Sequence, residues 1–95
     1  LAERLNREPA FLLDVRHGDT WRSSMHIPGA HHIYVGEILQ HIDEIPKDRP
    51  VITYCDAGFK GSLAASLLSR SGYRDVTNLL GGMAAWTQGG FETVP

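Results

Sequence analysis

Short apolar runs alternate with helical stretches along this chain, the pattern of parallel strands joined by crossover helices. Leu1 to Arg7 reads as a short helix stopped by Pro9. Phe11 to Val15 is a nearly continuous apolar run, as expected of a strand buried on both faces. Gly18 to Ser24 is polar around one Trp and reads as a loop with a helical turn. Pro28-Gly29 is a turn and Ala30 to Ile33 a short strand. Val35, Ile38, Leu39, Ile42 and Ile45 follow helical spacing, closed by Pro46. Val51 to Tyr54 is a second buried strand. Phe59 to Ser71 reads as a helix with Leu63, Ala64, Leu67 and Leu68 inward and Lys60, Ser62, Ser66 and Ser69 toward water. Arg70 falls in its last turn and Gly72 supplies a left-handed cap. Val76 to Leu80 is a third clear strand, Gly81-Gly82 turns the chain, and Met83 to Thr87 is a final short helix. The pattern predicts an α/β fold with about four parallel strands and helices covering both faces.

Ninety-five residues is a one-domain length, so residues 1–95 are expected to form a single domain. The hydrophobic fraction of 42% is ordinary for one modest core. A formal net charge of −2 supplies no electrostatic reason to expect nucleic acid or an anionic membrane as partner. No apolar run approaches the length of a membrane span. The opening residues do not read as a signal peptide. Leu1 stands where an initiator Met is absent, which fits a processed product or a domain excised from something longer. The single cysteine rules out an intramolecular disulfide, a Cys-x-x-Cys pair and a multi-cysteine zinc site. A lone thiol suits a reducing compartment, so a cytoplasmic location is expected.

That cysteine, Cys55, stands at the carboxyl end of the strand Val51–Tyr54, where open parallel sheets place their chemistry. Asp56, Ala57, Gly58, Phe59, Lys60 and Gly61 follow it into the next helix. The two glycines allow close backbone approach. A loop wrapping into a helix start aims several N–H groups inward as an anion-binding nest. The helix N-terminus adds positive potential and Lys60 a full charge. All three favour an ionised, nucleophilic thiolate and would hold a persulfide anion upon it. An inert core cysteine is the bland alternative, and the glycine-bearing strand–loop–helix context argues against it. Asp56 works the other way. Its carboxylate opposes both a dianionic donor and the thiolate itself, unless it points to solvent and is screened. A cysteine hydrolase needs a His partner, and none of the five His is placed beside Cys55 by sequence.

Six segments then come into view together: Leu13-Asp14-Val15-Arg16, His26-Ile27-Pro28-Gly29-Ala30, Tyr54-Cys55-Asp56-Ala57-Gly58-Phe59-Lys60, Gly72-Tyr73, Val76 to Leu80, and Gly81-Gly82-Met83-Ala84-Ala85-Trp86. Each is weak alone. In this order and spacing, over nearly the whole chain, they resemble the rhodanese-like (sulfurtransferase) domain family. The resemblance implies a three-layer α/β/α fold with a parallel sheet of four to five strands, the first edge strand being missing from this sequence or supplied from elsewhere. It implies a ping-pong sulfurtransferase: Cys55 takes a sulfane sulfur from thiosulfate or a persulfide, holds it as a persulfide, and passes it to a thiol or cyanide. Small-molecule donors and acceptors are then the partners, with a protein sulfur donor or acceptor as a further possibility, and no metal or organic cofactor is required. Three departures stand out. Lys60 replaces the Arg usual in the family and loses its planar fork. Gly61 replaces a common Ser or Thr. The first strand is not in the sequence.

The rival reading from another class is a non-catalytic interaction or regulatory module of a larger protein, which the missing Arg and first strand favour and the retained Cys55 loop opposes. A cysteine-dependent phosphatase, a related branch of the family, needs a guanidinium at position 61 to grip phosphate, and glycine stands there. Asp14 and Arg16 follow a strand end near the same rim, as a structural ion pair or as an organiser of the loop. His26, His31 and His32 lack the spacing of a zinc site. Trp21, Trp86 and Phe91 read as core or rim packing, whereas Phe59 is expected at the pocket mouth.

Overall fold

The computed structural model describes residues 10–56, 59–79 and 81–95. In chain order they form β1 (Phe11–Asp14), α1 (Gly18–Ser23), β2 (His31–His32), two 3-10 segments (Val35–Glu37 and Leu39–Glu44), β3 (Val51–Tyr54), α2 (Phe59–Arg70), β4 (Val76–Asn78) and α3 (Gly82–Gln88). The four strands make one sheet in the order β2-β1-β3-β4, with every pairing parallel. The expected helix over Leu1 to Arg7 lies outside the described residues, as do Ala57, Gly58 and Leu80.

Burial on both faces explains the continuous apolar runs. Side chains alternate across a strand. Leu13, Val15, Val51 and Cys55 join one core cluster with Ala64 and Leu68 of α2 and with Ile38 and Ile45 of the 3-10 region. Leu12, Ile52 and Tyr54 join the other with Leu79, Met83 and Trp86. The sheet is thus a layer with α2 on one side and α3 on the other, an α/β/α arrangement.

Three expectations change. The helix read over Val35 to Ile45 is two 3-10 segments interrupted at His41 (φ −117°, ψ 22°). Val35 and Ile38, like Ile42 and Ile45, stand three residues apart, which matches a three-residue turn better than an α-helix. Leu63 is not inward but 48% exposed. The buried stripe of α2 is Gly61, Ala64 and Leu68, because Gly61 lets the helix settle against the sheet on that face. A Cβ on Gly61 would lie 2.2 Å from Asn78 Oδ1 and 3.2 Å from Tyr54 Cα. The strands expected at Ala30 to Ile33 and Val76 to Leu80 pair only over His31–His32 and Val76–Asn78. Other features hold. Gly72 (φ 96°) ends α2, and the Tyr73 amide returns to the Leu68 carbonyl at 3.1 Å, a left-handed cap. Trp86 is buried with Phe91 against it, ring centroids 4.8 Å apart.

Two contacts fix the sheet's carboxyl rim. The first turn of α3 donates Met83 N–H to the Cys55 carbonyl (2.7 Å) and Ala84 N–H to the Asp56 carbonyl (3.2 Å). That approach requires Gly82 at φ 54°, where a Cβ would lie 1.9 Å from the Cys55 carbonyl oxygen. On the same face of the sheet the fully buried Tyr54 hydroxyl accepts the Ile27 amide at 3.2 Å, pinning the Pro28-Gly29 turn. Burial first, and then the Asp14 carboxylate, push the Tyr54 phenol well above its ordinary value.

Gly82→Ala is expected to destabilise the fold by about 2–4 kcal/mol, combining a left-handed φ with a backbone clash. Gly90→Ala, at φ 76° with nothing near its Cβ, is expected to cost only about 1 kcal/mol. Chemical denaturation of the two variants checks this, and equal losses would contradict the account. A raised phenol favours the folded state while it is protonated. Stability should therefore hold below pH 10, the phenol's ordinary value, and fall as pH rises beyond it toward the folded-state value. Tyr73, also raised by burial, adds to that slope. Tyr54→Phe should flatten the alkaline loss, and an unchanged slope would refute the assignment to Tyr54.

Candidate functional site

Cys55 directly follows β3, which lies between β1 and β4 in the sheet. The parallel register sets Asp14 beside Tyr54, so the strand-end residues of β1 share the rim with Cys55. Val15 N–H donates to the Tyr54 carbonyl at 3.0 Å. Thr53 points to the α2 side and donates its hydroxyl to the Gly61 carbonyl at 2.7 Å, tying the first turn of α2 to the strand that carries the thiol. Cys55 is thus braced from three sides: by α3 at its carbonyl, by β1 through Tyr54, and by α2 through Thr53.

The thiol is 4% exposed and lines a pocket of about 160 Å³ with Arg16, Asp56 and Lys60. That is space for about five water-sized groups, enough for a small inorganic anion or the end of an organic chain. His17 and Thr20, before and within α1, form the opposite wall, and Phe59 completes the lining while 80% exposed, as expected of a residue at the mouth. A second, broader groove of about 600 Å³ runs alongside, between Met25 and the α3 face of Met83 and Ala84. Arg16 and Asp56 belong to both.

Arg16 is the organising charge. Its guanidinium is 3% exposed and grips the fully buried Asp14 through Nε (3.1 and 3.0 Å) and Nη2 (2.8 Å). Nη2 also donates to the Met25 carbonyl at 3.0 Å, and Nη1 to Asp56 Oδ1 at 3.2 Å. The Arg16 backbone is held as well, its carbonyl accepting from His32 Nε2 at 2.8 Å, which sets that imidazole's tautomer. Burial alone would lower the Arg16 pKa, but Asp14 and then Asp56 hold it above its ordinary value. The ion pair read from sequence is therefore both structural and connected to the loop after β3. Asp56, 69% exposed, neither drifts free in solvent nor faces the thiol unopposed: its carboxylate turns back to Arg16.

Of the residues singled out in the sequence, the structure brings Cys55, Asp56, Phe59, Lys60, Asp14 and Arg16 to one rim. Gly61 sits apart, on the buried face of α2 against Tyr54 and Asn78. Ala57 and Gly58 lie outside the described residues. His17 and Thr20 were missed. The available signal was their position directly after the Leu13-Asp14-Val15-Arg16 strand end, which feeds the same rim. Among the described residues no group of three or more His, Cys, Asp or Glu is arranged to hold a metal ion. His26 and His32 instead stack on Trp21, with ring centroids 3.7 and 5.0 Å away.

Known proteins are similar to this chain in sequence and in fold. The sequence profile of the rhodanese-like domain matches residues 1–89. A protein named sulfurtransferase from Allochromatium vinosum is 37% identical over 99% of this chain and 88% of its own length. The thiosulfate sulfurtransferase GlpE of Coxiella burnetii is 27% identical over 88% of this chain and 78% of its own length. The putative sulfur carrier protein YrkF of Bacillus subtilis is 32% identical over 80% of this chain, which spans only 40% of it. Among solved structures, the Alr3790 protein of Anabaena superposes with a TM-score of 0.87 at 31% identity, over 98% of this chain and 74% of that one. A parallel sheet with a lone cysteine at the end of its central strand, matched along nearly its whole length by these proteins, places this chain in the rhodanese-like domain family.

Proposed function

We propose that this domain is a sulfurtransferase that carries a sulfane sulfur on Cys55. The observation that carries the reading is the position of Cys55, at the carboxyl end of β3, lining a small pocket with Lys60 and Arg16 just before the start of α2. A thiolate there attacks the outer sulfur of a donor. A sulfur–sulfur bond forms to Cys55, the donor's own bond to that sulfur breaks, and its electron pair leaves with sulfite or a thiolate. An acceptor nucleophile, cyanide or a thiolate, then takes the outer sulfur and returns the Cys55 thiolate. Charge balances at each step and no external oxidant or reductant is consumed. Lys60 and the N–H groups entering α2 stabilise the anion on the carried sulfur. Thiosulfate, a low-molecular-weight persulfide or a protein persulfide fits this chemistry as donor. A protein acceptor fits too, in keeping with the similarity to the sulfur carrier-like protein YrkF. The lone thiol favours a cytoplasmic setting. None of the described helices is long and apolar enough to cross a membrane.

Position 61 speaks against phosphate chemistry. A Cβ at position 61 would fall 2.2 Å from Asn78 Oδ1 and 3.2 Å from Tyr54 Cα, so an Arg there would have to displace the Asn78 side chain and crowd the β3 backbone.

Treating the protein with a sulfane donor is expected to add one sulfur atom to Cys55, read by intact mass, and cyanide should then remove it as thiocyanate. Cys55→Ser should lose turnover by about a thousandfold or more. Equal thiocyanate output from both proteins would refute the sulfurtransferase reading. No adduct from any donor would leave the domain as a non-catalytic interaction module.

A further inference from the structure

We propose that Asp56, through its ion pair with Arg16, selects the sulfur donor by charge, disfavouring dianionic thiosulfate and admitting persulfides that react as the neutral R–S–SH group. This rests on the sulfurtransferase reading and names the substrate class of the same pocket.

The argument starts from the charges that line the pocket. Arg16 is the cation nearest the buried rim, and four of its five N–H donors are already engaged. Nε and Nη2 serve Asp14 and the Met25 carbonyl, and Nη1 serves Asp56 at 3.2 Å. One guanidinium thus stands against two carboxylates, so this cluster carries one net negative charge. Lys60 supplies one positive charge on the other side. The two cancel, and the pocket offers a dianion no net attraction. His17 also lines the pocket and is common to every variant considered below, so it cancels in the comparison. Asp14 cannot be the adjustable member, because it is fully buried and held by three guanidinium contacts. Asp56 can. It is 69% exposed and contributes one side-chain contact to the pair. Its backbone, bonded to Ala84 through the carbonyl, is independent of what its side chain carries.

The chemistry distinguishes the donors. With thiosulfate, the Cys55 thiolate attacks the outer sulfur, the sulfur–sulfonate bond breaks, and sulfite leaves with the electron pair, so the pocket holds three negative charges throughout. With a persulfide, the thiolate attacks the terminal sulfur of R–S–SH. The proton stays on that sulfur and R–S⁻ leaves, so one negative charge is held. A nearby carboxylate therefore penalises the first reaction far more than the second.

The test compares the wild type with Asp56→Asn and Asp56→Glu, using thiosulfate and a low-molecular-weight alkyl persulfide as donors and cyanide as acceptor. Asp56→Asn is expected to raise kcat/KM for thiosulfate about tenfold, chiefly through KM, with the persulfide value within about twofold. Its thiosulfate rate should also fall with added salt more steeply than that of the wild type. Asp56→Glu should keep the wild-type donor ratio. If Asp56→Asn leaves the ratio unchanged, or lowers both donors equally, Asp56 is only a structural partner of Arg16 and the proposal fails while the sulfurtransferase reading stands. If neither donor places sulfur on Cys55 in any of the three proteins, both fail together.

Discussion

A buried guanidinium holds the working end of this domain together. Arg16 sits at the rim of the sheet with almost no solvent contact and binds the end of β1 through Asp14, the chain after α1 through Met25, and the loop after β3 through Asp56. Burying one charge costs several kcal/mol unless partners compensate it, and removing one member of such a pair costs about 3–5 kcal/mol. The arrangement is therefore an all-or-none device. Once Asp14 is buried, Arg16 must follow, and Arg16 in turn fixes three segments that are far apart in sequence.

The remaining supports act on backbone rather than charge. The first amides of α3 bind the carbonyls of Cys55 and Asp56, and Thr53 binds the carbonyl of Gly61. Each satisfies a polar group that burial would otherwise leave costly. Two glycines make this possible, Gly82 under the Cys55 carbonyl and Gly61 beside Tyr54. The thiol is thus displayed by a frame in which two helices and two strands converge on a few residues. Such rigidity suits the sulfur-carrying role proposed for Cys55.

Arg16 and Asp56 also form the boundary between the small pocket at Cys55 and the broader groove along Met83 and Ala84. One ion pair therefore shapes both the fold and the electrostatics of the space in front of the thiol. A loop carboxylate that looks hostile to an anionic cysteine in isolation becomes, in three dimensions, the outer partner of a buried cation.

Much of this was readable in the chain. The apolar runs of β1 and β3 demanded strands buried on both faces, and the lone cysteine after β3 had to fall at the sheet's carboxyl end. The order of the short motifs carried the family. The turn at Gly81-Gly82 and the cap at Gly72 were legible because glycine marks positions that other residues occupy only with strain. Other features were not local. Whether Leu63 or Gly61 faced the sheet depended on how closely α2 could approach β3. The 3-10 geometry of Val35 to Glu44 depended on which side chains reached the core. His17 and Thr20 carry no motif, and only the fold of the rim brings them opposite Cys55. Periodicity and residue chemistry along the chain determined the elements and singled out Cys55 as the candidate nucleophile. Tertiary packing alone decided the partner of Asp56, since its choice between solvent and Arg16 depends on a guanidinium forty positions away being held in place by Asp14.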